Sequence, residues 1–187
     1  MKKFDLYDKT SVMKHKEQLP VGGYACKVME VKEIEYSWGN VIVVSFDIAE
    51  GQYKDFYKND YQDQEDGKKK WRGTYRLNIP NGKNPKADEY NASQFKSFIY
   101  AVEQSNSGYQ WSWDEKTLKG KKVGLVFGEE EWEMDGRRGI TVRPRYATKT
   151  EGVEDAKVPK LKALKGGGTY TQTPTNSTEE DGDDLPF

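Results

Sequence analysis

The chain of 187 residues has one cysteine, one histidine and no long apolar run. Cys26 alone cannot form an intrachain disulfide, and Cys26 with His15 supplies too few ligands for a Cys/His zinc site. No Asp-x-Asp-x-Asp-Gly loop offers the oxygen cage that Ca²⁺ takes, so neither a metal nor a cofactor is expected. No apolar segment approaches the ~18–20 residues that span a bilayer. The opening MKKFDLYDKTS lacks the apolar stretch of a secretory signal. These absences predict a soluble, cytoplasmic protein of a reducing compartment without membrane contact. Catalytic signatures are also missing: there is no Gly-x-Ser-x-Gly, no Gly-x-x-x-x-Gly-Lys-Ser/Thr and no Gly-x-Gly-x-x-Gly. His15 lies in a charged N-terminal stretch with no nucleophile beside it. The expectation is that the protein is not an enzyme. Glu30-Val31-Lys32 has the Glu-x-Lys form found in metal-dependent nucleases, but in a chain that is 33% charged it reads as solvent-facing charge on a strand.

Apolar residues make up only 34% of the chain, yet five Trp, twelve Tyr and seven Phe supply enough ring area for a compact core. Charge is balanced in total, 30 Lys plus Arg against 31 Asp plus Glu, but it is unevenly placed. Residues 166–187 hold Glu179, Glu180, Asp181, Asp183 and Asp184 and no cation, which leaves residues 1–165 with 30 basic and 26 acidic groups, a net of +4. A basic body with an acidic tail suits one partner that is a polyanion and another that is a basic pocket.

Residues 1–18 read as a charged arm, 19–150 as the folded domain, 151–180 as a flexible linker and 181–187 as a separate tip. Within the domain, Tyr24 to Tyr36 is rich in β-branched and aromatic residues. After a Ser37-Trp38-Gly39-Asn40 turn, Val41 to Ala49 alternates Ile42, Val44, Phe46 and Ile48 on one face. A polar connection over 50–70 precedes a third strand, Trp71 to Ile79. Ala92, Phe95, Phe98, Ile99 and Val102 recur at helical spacing within 88–104. Val123 to Phe127, extended by Trp132 to Met134, and Gly139 to Tyr146 form a last hairpin around Asp135-Gly136. The expected fold is mainly β. Five strands with one helix between the third and fourth match the Greek-key barrel called the OB-fold. Ferredoxin-like and SH3-like arrangements use similar elements and stay open at this point.

Rings and cations interleave in the turns and connections. Tyr36 and Trp38 occupy the first turn, and Trp132 the last hairpin. Tyr53, Phe56, Tyr57 and Tyr61 lie in the 50–70 connection. Lys68, Lys69, Lys70, Trp71, Arg72, Tyr75 and Arg76 surround the third strand; Arg137, Arg138, Arg143 and Arg145 surround the fifth. In the fifth strand, alternation places both Arg143 and Arg145 opposite Ile140 and Val142. Phosphate-neutralising cations among rings on which bases stack form the footprint of a single-stranded nucleic-acid groove. Trp111, Trp113, Phe95 and Phe98 are assigned to packing.

The chain closes on Asp181-Gly182-Asp183-Asp184-Leu185-Pro186-Phe187. An acidic coil gains no stability from an apolar end, so these residues read as a ligand for an apolar pocket with a basic rim. The run resembles the C-terminal tip of bacterial and bacteriophage single-stranded DNA-binding proteins. The Leu-Pro-Val-Gly-Gly-Tyr opening and the Lys-Gly-Lys-Lys-Val-Gly-Leu-Val-Phe-Gly-Glu-Glu-Glu-Trp segment resemble phage versions in particular. The resemblance implies an OB-fold body that coats single-stranded DNA during replication, recombination and repair. It also implies a tip, Asp181, Asp183, Asp184, Leu185, Pro186 and Phe187, that recruits the enzymes of those processes, and, for a phage protein, action inside a bacterial host cell. The body is longer than the host type, so tetramerisation is not carried over and a homo-oligomer is left open. A 22-residue coil averages about 25 Å end to end, enough for the tail to fold back and compete with DNA. The rival expectation is an OB-like adaptor that binds protein alone and fills a host enzyme's pocket with its tail.

Overall fold

The computed structural model describes residues 7–8, 18–65, 67 and 69–164. Most of the expected arm, Lys68 and the whole tip lie outside these residues. The protein is mainly β, with strands β1 (Gly22–Tyr36), β2 (Gly39–Ile48), β3 (Thr74–Asn78), β4 (Lys122–Met134) and β5 (Arg137–Thr148). Two α-helices accompany them: α1 (Phe56–Asp63), between β2 and β3, and α2 (Pro85–Ser105), between β3 and β4. The strands form one antiparallel sheet in the order β3-β2-β1-β4-β5, so β3 and β5 are its two edges.

β1 organises the sheet. Its first residues pair with β4 (Gly22 to Lys27 against Phe127 to Lys122), and its remainder pairs with β2. A register shift between Val28 and Glu30 leaves Met29 as an extra residue, and such a bulge adds bend and twist. The sheet therefore curls in a barrel-like way around α2. Strict alternation supplies the core: Val28, Val44, Phe46, Ile48, Leu77, Leu125 and Phe127 are buried against Phe98, Ile99, Ala101 and Val102 of α2. Each fully buried large apolar side chain contributes about 1.5–3 kcal/mol relative to exposure. Phe127 sits edge-on to both Phe46 and Tyr24, at 5.9 and 5.4 Å between ring centroids.

α2 starts where the sequence signals it: the Asn84 side chain accepts from the Ala87 N–H, and Pro85 takes the first turn. Its end is tied to β4 by Asn106, whose side chain donates to the Lys122 carbonyl and accepts from the Lys122 N–H. α1 falls in the stretch expected to be a bare connection. Its N-cap, Asp55, is left-handed and makes no side-chain cap. Asp47 of β2 caps it instead, with its buried carboxylate accepting from the N–H groups of Ile48, Tyr57 and Lys58. Desolvation raises the Asp47 pKa, and the three N–H donors work against that rise.

The chain after β5 does not leave the body at 151, as the linker boundary predicted. A short turn, Val153–Asp155, lies on the sheet with Val153 buried. A Cβ at Gly23 would come within 1.7 Å of the Val153 carbonyl oxygen, and one at Gly124 within 2.9 Å of the Val153 side chain. The two glycines thus exist for this close approach. Val126, buried yet outside the main core, faces the same side. Farther on, the Tyr146 hydroxyl donates to the Lys157 carbonyl. Lys162 then bridges β4 in parallel, accepting from the Glu131 N–H and donating to the Glu129 carbonyl. Residues 150–164 are therefore a strap that crosses β4 at Gly124 and Gly128 and then pairs alongside it.

Candidate nucleic-acid interface

Opposite residues of paired strands share a face, and side chains alternate between faces. Register therefore defines the face of β1, β2 and β3 that looks away from the core. Glu30 pairs with Ser45, which pairs with Thr74; Lys32 pairs with Val43, which pairs with Arg76; Ile34 pairs with Val41, which pairs with Asn78. Tyr36, paired with Gly39, continues the same face. Over β4 the outer surface carries the 150–164 strap, whereas Glu30, Lys32, Ile34, Arg76 and Asn78 are exposed.

At the hairpin end, Tyr36 and Trp38 stack with centroids 5.1 Å apart and planes within 9°, and Trp38 is 42% exposed. The Trp38 carbonyl accepts from the Asn81 side chain at 2.8 Å and from Lys83 Nζ, which fixes the turn against the segment after β3. At the other end, beside the Met29 bulge, lies a groove of about 420 Å³ lined by Met29, Glu30, Ser45, Tyr61, Trp71 and Lys119. Tyr61 and Trp71 sit 6.0 Å apart, tilted by 46°, and Lys69 Nζ lies 5.9 Å from the Tyr61 ring centre. The Trp71 indole N–H is held by the carbonyls of Phe46 and Gly73, so its ring is fixed in place.

The fifteen residues expected to contact DNA divide into distinct environments. Tyr36, Trp38, Lys69, Trp71 and Arg76 belong to this face or its rim. Tyr57 and Tyr75 do not: they are 8% and 4% exposed and pack in the core, Tyr57 edge-on to Phe46 and Tyr75 tilted against Phe98. Burial pushes both phenols up, Tyr75 to about 12. Tyr53 is half-buried, edge-on to Tyr24 and Phe56. Arg72 is committed to Asp60 of α1 at 3.0 Å. Lys70 is exposed, and its backbone is clamped by the Gln64 side chain. Trp132, Arg137 and Arg138 lie at the β4–β5 hairpin, with Trp132 lying over Gly139 and Arg138 paired to Glu133 at 2.7 Å.

A second bulge falls beside Arg143 and Arg145. Between Val126 and Phe127 the pairing passes from Tyr146 to Pro144, so Arg145 is its extra residue. Its guanidinium donates to the Glu129 carbonyl, and its stem lies over Gly128 beside Pro159. Arg143 is near enough to Tyr57 for its charge to favour the phenolate, against the burial that dominates.

Three residues of the face were not singled out as binding residues, Met29, Lys32 and Lys119, whereas Tyr61 was named among the rings of the 50–70 connection. Lys32 shares the parity of Tyr36 in β1, so alternation alone would have found it. Tyr61 and Lys119 arrive through α1 and the loop after the Glu115–Leu118 turn. Trp113, assigned to packing, is 81% exposed at a positive φ of 63°, stacked on Phe95; Phe98 is buried, and Phe95 and Trp111 are partly buried against the core.

Among the described residues no cluster of three or more His, Cys, Asp or Glu is placed to hold a metal ion, and no helix is long and apolar enough to cross a membrane. The Cys26 thiol is fully buried, and burial pushes its pKa well up, which disfavours the reactive thiolate. Searches against protein-family models and curated proteins find no match for the chain.

Proposed function

We propose that the protein binds single-stranded DNA non-enzymatically, across the outer face of β1, β2 and β3. One observation carries this reading: a single outer face combines exposed rings at both ends with cations between them. Bases would stack on Trp38 and Tyr36 at one end and on Tyr61 and Trp71 at the other. Phosphates would meet Lys32, Arg76, Lys69 and Lys119. Stacking is worth about 1–3 kcal/mol per base and accepts any base.

The fold we propose is an OB-fold opened between β3 and β5. Such barrels bind oligonucleotides on strands 2 and 3 and through the loops β1–β2 and β4–β5. The order β3-β2-β1-β4-β5, with α2 between β3 and β4, supports that reading. The tip at 181–187 is proposed to recruit replication, recombination and repair proteins, and the tail to compete with DNA for the basic face. The rival adaptor reading finds support in Trp113, Tyr90 and Tyr100, large rings exposed in or just after α2.

Titration with oligo(dT), followed by tryptophan fluorescence at increasing salt, tests the reading, because Trp38 and Trp71 lie in the proposed contact. Salt-sensitive quenching supports it. Absence of any response at low salt favours the adaptor, and strand cleavage on adding Mg²⁺ or Mn²⁺ would point to a nuclease.

A further inference from the structure

The groove beside the β1 bulge differs in chemistry from the rest of the face. Lys32, Ile34, Val43 and Arg76 offer charge and apolar surface, which cannot tell one base from another. The groove instead combines one aromatic wall, Tyr61 packed against Trp71, a soft methionine, a cation, and two groups able to read a base edge, Glu30 and Ser45. Its volume of about 420 Å³ lies in the range of small-ligand sites. Trp71 is held by two carbonyls, so this wall is preorganised.

We infer that this groove seats a single nucleobase and prefers guanine. The inference rests on the single-stranded DNA reading of the same face and adds a base preference to it. The decisive group is Glu30. Its carboxylate accepts hydrogen bonds and donates none, with lone pairs on both oxygens. Lys32 Nζ lies 3.0 Å from Oε2, which leaves the other oxygen and a second lone pair on the same one. Guanine presents two parallel N–H donors on its Watson–Crick edge, N1–H and the 2-amino group, a match for a carboxylate. Adenine and cytosine offer one amino donor beside a ring-nitrogen acceptor. Thymine offers one N–H flanked by two carbonyls, which a carboxylate repels. Lys119 is placed for the accompanying phosphate, and Ser45, able to donate or accept, suits the remaining polar edge.

The groove lies at the bulge, with Met29 and Glu30 in its lining. Without Met29 as the extra residue, β1 would run in unbroken register against β2. The Glu30 side chain is about half exposed, so water competes for the carboxylate and the expected discrimination sits at the lower end for a bidentate contact.

The experiment uses the full chain and oligo(dT) of one length carrying a single central dT, dG, dA, dC or deoxyinosine. One substitution avoids guanine runs that fold on themselves. The dG oligomer is expected to bind roughly five- to tenfold more tightly than all-dT. Inosine, which lacks the 2-amino group, falls between them. Glu30→Gln removes the preference, bringing the dG and all-dT affinities to within about twofold of each other. Equal binding of dG and dT oligomers, a preference for dA or dC, or a guanine preference surviving in Glu30→Gln would each overturn the inference and leave DNA binding intact. Failure of every oligomer to bind would overturn both readings. The inosine comparison needs no variant, so the test survives any folding defect in Glu30→Gln.

Discussion

Trp38 lies flat on Tyr36, 5.1 Å away, at the tip of the β1–β2 hairpin. Tyr36 is on the outward parity of β1, so the pair ends the outer face and presents the indole to solvent. A stacked pair gains about 0.5–1.5 kcal/mol beyond the area it buries, and this one also presets a ring for a further base. Trp38→Ala should weaken oligo(dT) binding by about 1–3 kcal/mol and shift the thermal midpoint little, measured by fluorescence titration and calorimetry. Trp38→Phe should recover most of the affinity. Equal affinity in wild type and Trp38→Ala would remove the hairpin tip from the interface.

Lys32, Arg76, Lys69 and Lys119 define the electrostatic part of the account. Neutralising about four phosphates of a single strand gives a slope of about −3 in log affinity against log salt. Lys32→Ala or Arg76→Ala should each reduce that slope by about 0.7. Glu30 would lose its Lys32 partner, but at an exposed pair the cost in stability is small. An unchanged slope in both variants would place the phosphates elsewhere.

Asp47 holds α1 from a neighbouring strand. Asp47→Ala would strip acceptors from three N–H groups and should destabilise the fold by about 1–3 kcal/mol, read by urea unfolding. Tyr61, on α1, would lose its position, so oligo(dT) affinity should fall as well. Asp47→Asn keeps an acceptor oxygen and should be milder on both counts.

Tyr24 and Tyr75 titrate near 12 instead of 10, mainly through burial, and Tyr57 higher still. Between pH 10 and 12 the unfolded chain has released these protons and the folded chain retains them. Stability contributed by the neutral phenols is complete below pH 10 and is lost as the pH rises through that window. Alkaline titration should show tyrosinate absorbance in two stages, the second coinciding with loss of tertiary signal. A single stage near pH 10 in a folded protein would contradict the burial.

The alternation of β2, the helical spacing of Phe95, Phe98, Ile99 and Val102, and the Asp135-Gly136 turn were all legible in the sequence because each is set by neighbours within a few residues. Asp135 and Gly136 indeed both take left-handed φ, 50° and 75°. α1 was not legible. Its apolar residues, Phe56, Tyr57 and Tyr61, are few, and its cap comes from Asp47, ten residues from Tyr57 in the chain. The strap at 150–164 was hidden for a related reason, since its docking depends on missing side chains at Gly23 and Gly124 in other strands. In the site, the parity of Tyr36 and Lys32 was readable. The groove was not: it joins a bulge in β1, a helix and two loops, and no local pattern encodes that meeting. Tyr57 and Tyr75 show the opposite error, in which ring identity suggested stacking and tertiary packing had already claimed the ring.

The central claim is that the outer face of β1, β2 and β3 binds single-stranded DNA. Its most direct test is titration of the full chain with oligo(dT), and then poly(rU), at several salt concentrations while tryptophan fluorescence is followed. The account predicts quenching by oligo(dT) that weakens with salt along a slope of about −3 and diminishes in Trp38→Ala. No fluorescence change at low salt, or quenching untouched by Trp38→Ala, Lys32→Ala and Arg76→Ala alike, would contradict it.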